Sequence, residues 1–545
     1  MRKGNLKKNS FLQGTIIASF SLIFIKILGA LYVIPFYSII GEDGGTLYSY
    51  AYSIYTLFLN ISTAGIPIAM SMIISEYLAL EMYDAKERSK NVGNLMIAIL
   101  AIISFSIVFF ASPMLAKFIL SDVTGGHTIE DVSFVIKAVS FCLLIIPFLS
   151  VLKGYLQGHK FIAPTSYSQV LEQVVRIIIV LVGSYVAIKL LGYDSKIGVA
   201  VALSGAFFGG LAAYIYLRLK VRNNKDKFPI SNEKDNVKNK VIAKKIISYC
   251  IPIVMVAIID NLYTLVDIKL IVKGLHMIGF SAIEAETISG IVSTWAPKIC
   301  TIMIAIAIAL TTNIIPHVTT CFVKKDMEGV KYRINQALKT MLIITLPMAI
   351  LLFLLSNEAY SIFYGESKYG GLILKMSAIS HIFFGLWTVL NSSLQSMKKF
   401  KLIYTNACIG LATNALLDIP LICLFNKIGL HPYVATIVAT CIGYLISISI
   451  VLFRLKKEIN FNFKDTLNLL KNLIIPCVLM IIPILVLKHY IVIEYTRLNS
   501  LISVICYGIL GVLIYGFITY KNKSLENVLG EETINKVLRK LKLKK

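Results

Sequence analysis

Long apolar stretches, separated by short and mostly basic polar segments, run the length of the chain. A helix needs about 20 apolar residues to cross a hydrocarbon core of roughly 30 Å. Fourteen stretches are candidates: 11–40, 46–80, 92–120, 132–152, 162–188, 197–217, 246–272, 284–320, 340–356, 371–396, 402–425, 433–453, 472–487 and 498–520. Unpaired backbone groups are too costly in lipid for open strands, so these stretches read as helices. The expected fold class is an all-α polytopic membrane protein with about 14 transmembrane helices. Several stretches exceed a minimal span and imply tilt or kinks, with Gly65 and Pro67, Pro297 and Pro316 as break points.

Composition agrees. The chain is 57% hydrophobic and 15% charged, with a mean hydropathy of +0.77; a soluble protein of this length needs a more charged surface. The net charge of +25 suggests nucleic acid until its placement is considered. With the N-terminus in the cytosol, 40 of the 54 Lys and Arg residues fall in cytosolic segments and 7 in external loops. That asymmetry is the positive-inside pattern. It supports the orientation of a multi-pass membrane protein with both termini in the cytosol, and accounts for the basic excess without a nucleic-acid partner. The tail cations Lys536, Arg539, Lys540, Lys542, Lys544 and Lys545 suit attraction to the membrane surface. The nine cysteines lie almost all within apolar spans without metal-ligand spacing, so neither disulfides nor a metal site is expected. The first apolar segment is long and lacks a small-residue cleavage site, and reads as a span rather than a signal peptide.

The longest polar interruption, 218–245, divides six spans from eight. The flanking halves resemble each other at an offset of about 240 residues: EYLALEMYDAKERSKNVGNLM (76–96) matches VTTCFVKKDMEGVKYRINQAL (318–338), and VLKGYLQGHKF (151–161) matches VLNSSLQSMKKF (389–400). Both halves begin in the cytosol, so the repeat is parallel, a plan that puts a substrate route at the repeat interface. The expected organisation is an N-lobe over 1–217, a basic linker over 218–245, a C-lobe over 246–456, two further spans over 457–521 and a basic tail over 522–545.

Polar residues inside the spans carry the candidate chemistry. On the fifth span, entered through the basic, glycine-containing turn KGYLQGHK, Thr165, Gln169, Glu172, Gln173 and Arg176 recur on one helical face. Glu172 precedes Arg176 by four residues, so the two can pair. Arg176 lies about 18 Å along the helix from Pro164, where an arginine costs about 2.5–3.5 kcal/mol even on the lenient insertion scale. A self-neutralising helix clamp is the plain alternative; the extra polar residues favour a cavity lining. On the second span, Ser49, Ser53, Thr56, Asn60 and Thr63 recur in the same way, although such groups more often serve helix packing. Together the two stripes outline a route across the membrane.

Lys26 and Asp267 stand at corresponding repeat positions and can oppose each other across a cavity, while Lys298 follows Pro297. Lys375, Lys117 and Lys137 read as snorkelling residues, and Asp260, Asp418 and Glu76 stay ambiguous at helix ends. No phosphate-binding loop and no His-Glu-x-x-His are present, and the seven histidines are scattered. The chain is expected not to be an enzyme and to need no cofactor, leaving membrane potential or an ion gradient to drive it.

KGYLQGHKFIAPTSYSQVLEQVVRI (153–177), ILGALYVIPFYSIIGEDGGTLYSYAYSIYTLFLNISTAGIPIAMS (27–71) and TTNIIPHVTTCFVKKDMEGVKYRINQALK (311–339) resemble segments of the polysaccharide-export branch of the MOP/MATE superfamily. Within it the likeness is to the MurJ-type lipid II flippases and SpoVB-like proteins of Gram-positive bacteria, over essentially the whole chain. The resemblance implies two six-helix lobes in a V around a cationic cavity, with the last two helices forming a lipid groove. It implies alternating-access transport of an undecaprenyl-diphosphate-linked peptidoglycan precursor, with Lys26 in the stretch that holds the diphosphate and Asp267 where the group often has an acid. It also implies the lipid bilayer and a lipid-linked oligosaccharide as partners, cell-wall synthesis proteins alongside, and a monomer. Flipping of another lipid-linked polysaccharide, exopolysaccharide or sporulation-specific, and cation-coupled drug or metabolite antiport are the alternatives. The second repeat lacks the Glu–Arg pair: its counterpart segment is IGLATNALLD.

Overall fold

A computed structural model describes residues 11–120, 126–228, 235–312, 315–490 and 495–530. All regular elements among them are helices: thirteen helical segments among the described residues are long and apolar enough to cross a membrane, and the helix Phe11–Leu31 occupies the first apolar stretch ahead of them. The tail cations Lys536, Arg539, Lys540, Lys542, Lys544 and Lys545, and the side chains of Asp260 and Pro316, lie outside the described residues. The chain divides into two compact units, Met1–Gly290 and Ile291–Lys545. This packing boundary falls inside the eighth span, immediately before a π-helical turn over Ile291–Trp295.

Where passes turn, backbone conformation and residue type agree. The helix Val33–Thr63 is broken at Gly41, whose φ of 69° ends the first span and starts the second. The second span breaks again between Thr63 and the helix Ile66–Ala79, at the Gly65 and Pro67 site. The other expected kink, at Pro297, is the π-turn just before the helix Ala296–Thr312.

In the first unit the fourth span, ending in the helix Cys142–Gly158, packs on Ile66–Ala79. The segment GYLQG is therefore helix, not the turn its glycines suggest; the turn is at Lys160, with φ 64°. Those glycines are contact points. A Cβ on Gly154 would lie 2.7 Å from the Pro67 carbonyl oxygen, and one on Gly158 would lie 2.6 Å from Ile74 Cβ. Ser75 Oγ donates to the Gly158 carbonyl at 3.0 Å across the same seam. Glycines four apart let two backbones approach closely where lipid gives no hydrophobic push.

The matched turn of the second repeat has the same hydrogen bonds. Lys160 N donates to Gln157 O and Phe161 N to Leu156 O; Lys398 N donates to Gln395 O and Lys399 N to Leu394 O. Both are 6→1 and 5→2 closures of a helix end. The described end of the linker is docked rather than free: Arg88 donates to the Asp235 carbonyl at 2.9 Å, and Asp235 Oδ2 accepts from Ala85 N at 2.8 Å. Glu76, ambiguous in sequence, pairs with Lys245 at 2.5 Å. In the second unit the last two spans, Lys464–Tyr490 and Arg497–Lys521, join the core around Leu473, Met480 and Ile484, and Tyr515 donates to the Ile343 carbonyl at 3.0 Å.

One histidine that the sequence left without a role ties the first unit together. His127 Nε2 lies 3.0 Å from Asp43 Oδ1 of the second span, and its Nδ1 meets Glu286 Oε2 of the eighth. Glu286 is only 1% exposed. Burial works against the charged ring, but the carboxylates of Asp43 and Glu286 outweigh it and raise His127 to about 9.

Two predictions follow from this packing. Gly154→Ala, which drives a Cβ into a backbone carbonyl, should cost about 1–3 kcal/mol of stability. Gly508→Ala, with nothing within 4 Å, should be near neutral; thermal unfolding in detergent compares the two. Because the folded His127 value exceeds the ordinary one of about 6.5, its stabilisation is complete below that pH and fades as pH rises through about 9. The melting-temperature gap between wild type and His127→Gln should therefore shrink between pH 6 and 10; a constant gap refutes the charged bridge.

Candidate functional site

The fifth span begins as the helix Ile162–Ile178, with Pro164 buried in its first turn, and passes into π-helical turns over Ile179–Gly183 and Val186–Leu190. Its polar face is present as the periodicity requires, and Glu172 is its centre. Glu172 Oε1 accepts from Arg176 Nη2 at 2.9 Å, while Oε2 accepts from Lys153 Nζ at 3.0 Å. Lys153 belongs to the fourth span, so the i,i+4 pair is in fact a two-helix triad with one surplus positive charge. Sequence periodicity misses Lys153 because it reports one helix at a time; the closest signal was its place just before Gly154.

The backbone under this cluster is crowded by design of the sixth span, the helix Ser195–Arg222. A Cβ on Gly205 would lie 2.9 Å from the Arg176 carbonyl oxygen, and one on Gly209 would lie 2.5 Å from that of Glu172. These glycines, again four apart, hold the sixth span against the charged turn of the fifth. On the other side, Gln173 is buried and its Nε2 lies 3.5 Å from where a Cβ on Gly29 of the first span would stand. Gln169 is half-buried, and Thr165 Oγ1 donates to the Ile162 carbonyl at 2.7 Å.

Arg176 keeps a reserve. Its Nε is buried with no hydrogen-bond partner among the described residues. The phenols of Tyr55, Tyr52 and Tyr32 lie close enough to couple electrostatically to its charge. Tyr48 and Tyr52 stack at 5.4 Å, and Tyr52 and Tyr55 are 6.0 Å apart. Tyrosines of the second span thus lie near Arg176. Ser53 Oγ donates to the Ser49 carbonyl at 2.8 Å, Thr56 Oγ1 to Ser53 O at 3.0 Å and Thr63 Oγ1 to Leu59 O at 2.7 Å. These hydroxyls are satisfied within their own helix. Asn60 is half-buried in the last turn before the Gly65 break. The tyrosine face was readable as Tyr48, Tyr52 and Tyr55 at i, i+4 and i+7.

The remaining candidates are spread more widely. Lys26 is exposed, one turn before Gly29 in the helix Phe11–Leu31. Asp267 is half-buried in the helix Asn239–Met277 and engaged in an interaction of its own. Lys298 belongs to the second unit, where its ammonium sits 4.1 Å over the Trp295 ring. Tyr364 donates to the Trp295 carbonyl at 2.8 Å and packs edge-on against the indole. In the second unit the residue matching Lys153 is Asn391, whose Oδ1 accepts from Asn406 at 3.1 Å; Trp387 Nε1 donates to Asn406 at the same distance. The corner between the two helices stays polar, but its charge is gone.

A helical bundle with this many long apolar helices is a polytopic membrane protein, and its first unit carries a net cationic cluster. Residues 11–277 match the family described as polysaccharide biosynthesis protein. The chain is 30% identical to the lipid II flippase MurJ of Bacillus subtilis over 96% of its own length and 97% of that protein's. It is 25% identical to the stage V sporulation protein B of the same organism over 74% of this chain and 76% of that one. Its fold matches a solved structure of the lipid II flippase MurJ in an inward closed conformation, with a TM-score of 0.65, 15% identity and coverage of 93% of this chain and 99% of that one. The chain belongs to the MurJ family of lipid II flippases.

Glu172→Gln removes the shared partner of two cations. Breaking such a pair from one side costs about 3–5 kcal/mol when it is deeply buried, and less here because the carboxylate is 15% exposed. The double variant Glu172→Gln/Lys153→Met should recover part of that loss. A double-mutant cycle of melting temperatures measures the coupling, and additive effects refute the triad.

Proposed function

We propose that this protein moves an undecaprenyl-diphosphate-linked peptidoglycan precursor, lipid II, from the inner to the outer leaflet by alternating access. The observation that carries the reading is the cationic cluster of the fourth and fifth spans, where Arg176 holds an unused buried donor within a triad of net positive charge. The physical problem is to carry a diphosphate past hydrocarbon while its lipid tail stays in the bilayer. Charge-assisted hydrogen bonds offset the desolvation of the diphosphate and orient it. Lys26, exposed on the first span, supplies a second cation for the head group. The tyrosine face gives flat, amphipathic surface beside the charge, suited to sugar rings.

Full-length likeness to a named lipid II flippase supports this substrate over others. The more distant likeness to a sporulation protein keeps a sporulation-specific lipid-linked substrate as the second reading. A cation-exporting antiporter would call for a site dominated by acids, and the only acid in the triad is neutralised twice over. The protein works as a multi-pass plasma-membrane protein with both termini in the cytosol, as a monomer, alongside cell-wall synthesis proteins. It carries no cofactor; membrane potential is sufficient as a drive, since one charge moved through 100 mV is worth about 2.3 kcal/mol.

Arg176→Ala and Lys26→Ala should each weaken precursor handling about 10- to 100-fold, the worth of one charge-assisted hydrogen bond. Both should still insert in the membrane. The measurement is growth and leaflet-resolved lipid II accumulation in a flippase-depleted strain complemented by each variant. Normal growth and translocation with both variants would refute the cationic site.

A further inference from the structure

The fourth span presents Lys153 to the fifth span and a different face to a cavity of about 600 Å³ between the third, fourth and sixth spans. Four cations line it: Lys90 of the third span, Arg218 and Arg222 of the last turns of the sixth, and Lys225 just beyond. Among the described residues no acidic side chain lines it. Glu87, one turn before Lys90, is already bound by Lys86 at 3.0 Å and by the Tyr155 hydroxyl. Lys90 itself is steadied over the Tyr155 ring at 4.7 Å. Lys225 is set by a turn in which Asn224 Nδ2 donates to the Lys220 carbonyl at 3.0 Å.

Gathering four like charges around one concavity is unfavourable unless an anion joins them. The opposite wall is apolar, with Phe148, Val151 and Leu152, and Asn91 and Asn94 add amide groups. The cavity lies where three membrane-crossing helices reach their shared basic end, the side that the charge asymmetry gives to the cytosol. Basic pockets between spans at that level take phosphate-bearing head groups. We propose that this cavity binds the phosphate of an anionic phospholipid, with Arg218, Arg222, Lys225 and Lys90 around the phosphate and the Phe148 wall against the glycerol and upper acyl chain. The shared chemistry is a phosphate ester; the apolar wall favours the lipid source over a soluble one. This site stands independently of the flippase reading.

The test uses the purified full-length protein in detergent with equal phosphatidylglycerol and phosphatidylcholine, and reads retained lipid by native mass spectrometry. Wild type should hold phosphatidylglycerol in preference. Arg218→Gln/Arg222→Gln should hold it about 10- to 30-fold less, at roughly one Lys or Arg contribution each. Lys240→Gln/Lys244→Gln, which removes two exposed cations off the cavity wall, should retain it as wild type does. Melting temperatures of all three proteins report folding, and Arg222→Lys should restore part of the binding if the double variant is unstable. Equal retention of the two lipids, or equal loss in the control variant, overturns the proposal. An added inorganic phosphate arm separates the sources: displacement of the lipid by millimolar phosphate alone assigns the site to a soluble phosphate and overturns the lipid assignment.

Discussion

A carboxylate set between two cations inside a membrane helix bundle has to be held there by something other than water. Glu172 meets that requirement by giving one oxygen to Arg176 on its own helix and the other to Lys153 on the next. Each charge is tolerable only because the others are present, and the triad therefore fixes the rotation of the fourth and fifth spans about their axes. One positive charge remains over, and one guanidinium nitrogen remains unbonded. A neutral, fully bonded cluster would be a clamp; the surplus charge and the open guanidinium nitrogen are what the proposed anion site rests on.

Such a cluster needs close backbones to keep its geometry, and the chain supplies them with glycine pairs four residues apart. Gly154 and Gly158 bring the fourth span onto the second, and Gly205 and Gly209 bring the sixth under Glu172 and Arg176. The π-turns that follow Arg176 end the regular helix just beyond the charged turn. Non-α geometry of this kind is common beside functional residues. In the matched corner of the second unit, Asn391, Asn406 and Trp387 make an uncharged network. The two repeats thus share turn geometry and a polar corner, while only the first spends charge on it. A ligand with a single charged head group has use for just such an inequality.

The apolar runs, their turns and the polar face of the fifth span were all legible in the sequence, because hydrocarbon imposes its demands residue by residue. Length sets a span, periodicity sets a face, and the i,i+4 spacing of Glu172 and Arg176 sets a pair. Glycine and proline told where passes bend, at Gly65 and before Pro297. They misled at GYLQG, where small residues serve helix contact and the turn instead falls on Lys160. The serine and threonine stripe was also readable, but Ser53, Thr56 and Thr63 bond to carbonyls of their own helix, while the neighbouring tyrosines lie near enough to Arg176 to interact with its charge.

What the sequence alone determined is therefore one-dimensional: how many times the chain crosses, where it turns, which helical face is polar, and the family to which that pattern belongs. The tertiary structure decided which helices share those faces. Lys153 reaches Glu172 across a turn, His127 joins Asp43 to Glu286 from spans far apart in the chain, and four cations from two spans and the turn beyond surround one cavity. None of these has a fixed spacing, because each depends on how far one helix is rotated and slid against another. Side-chain packing and the pairing of buried charge set that rotation, and no single helix contains it.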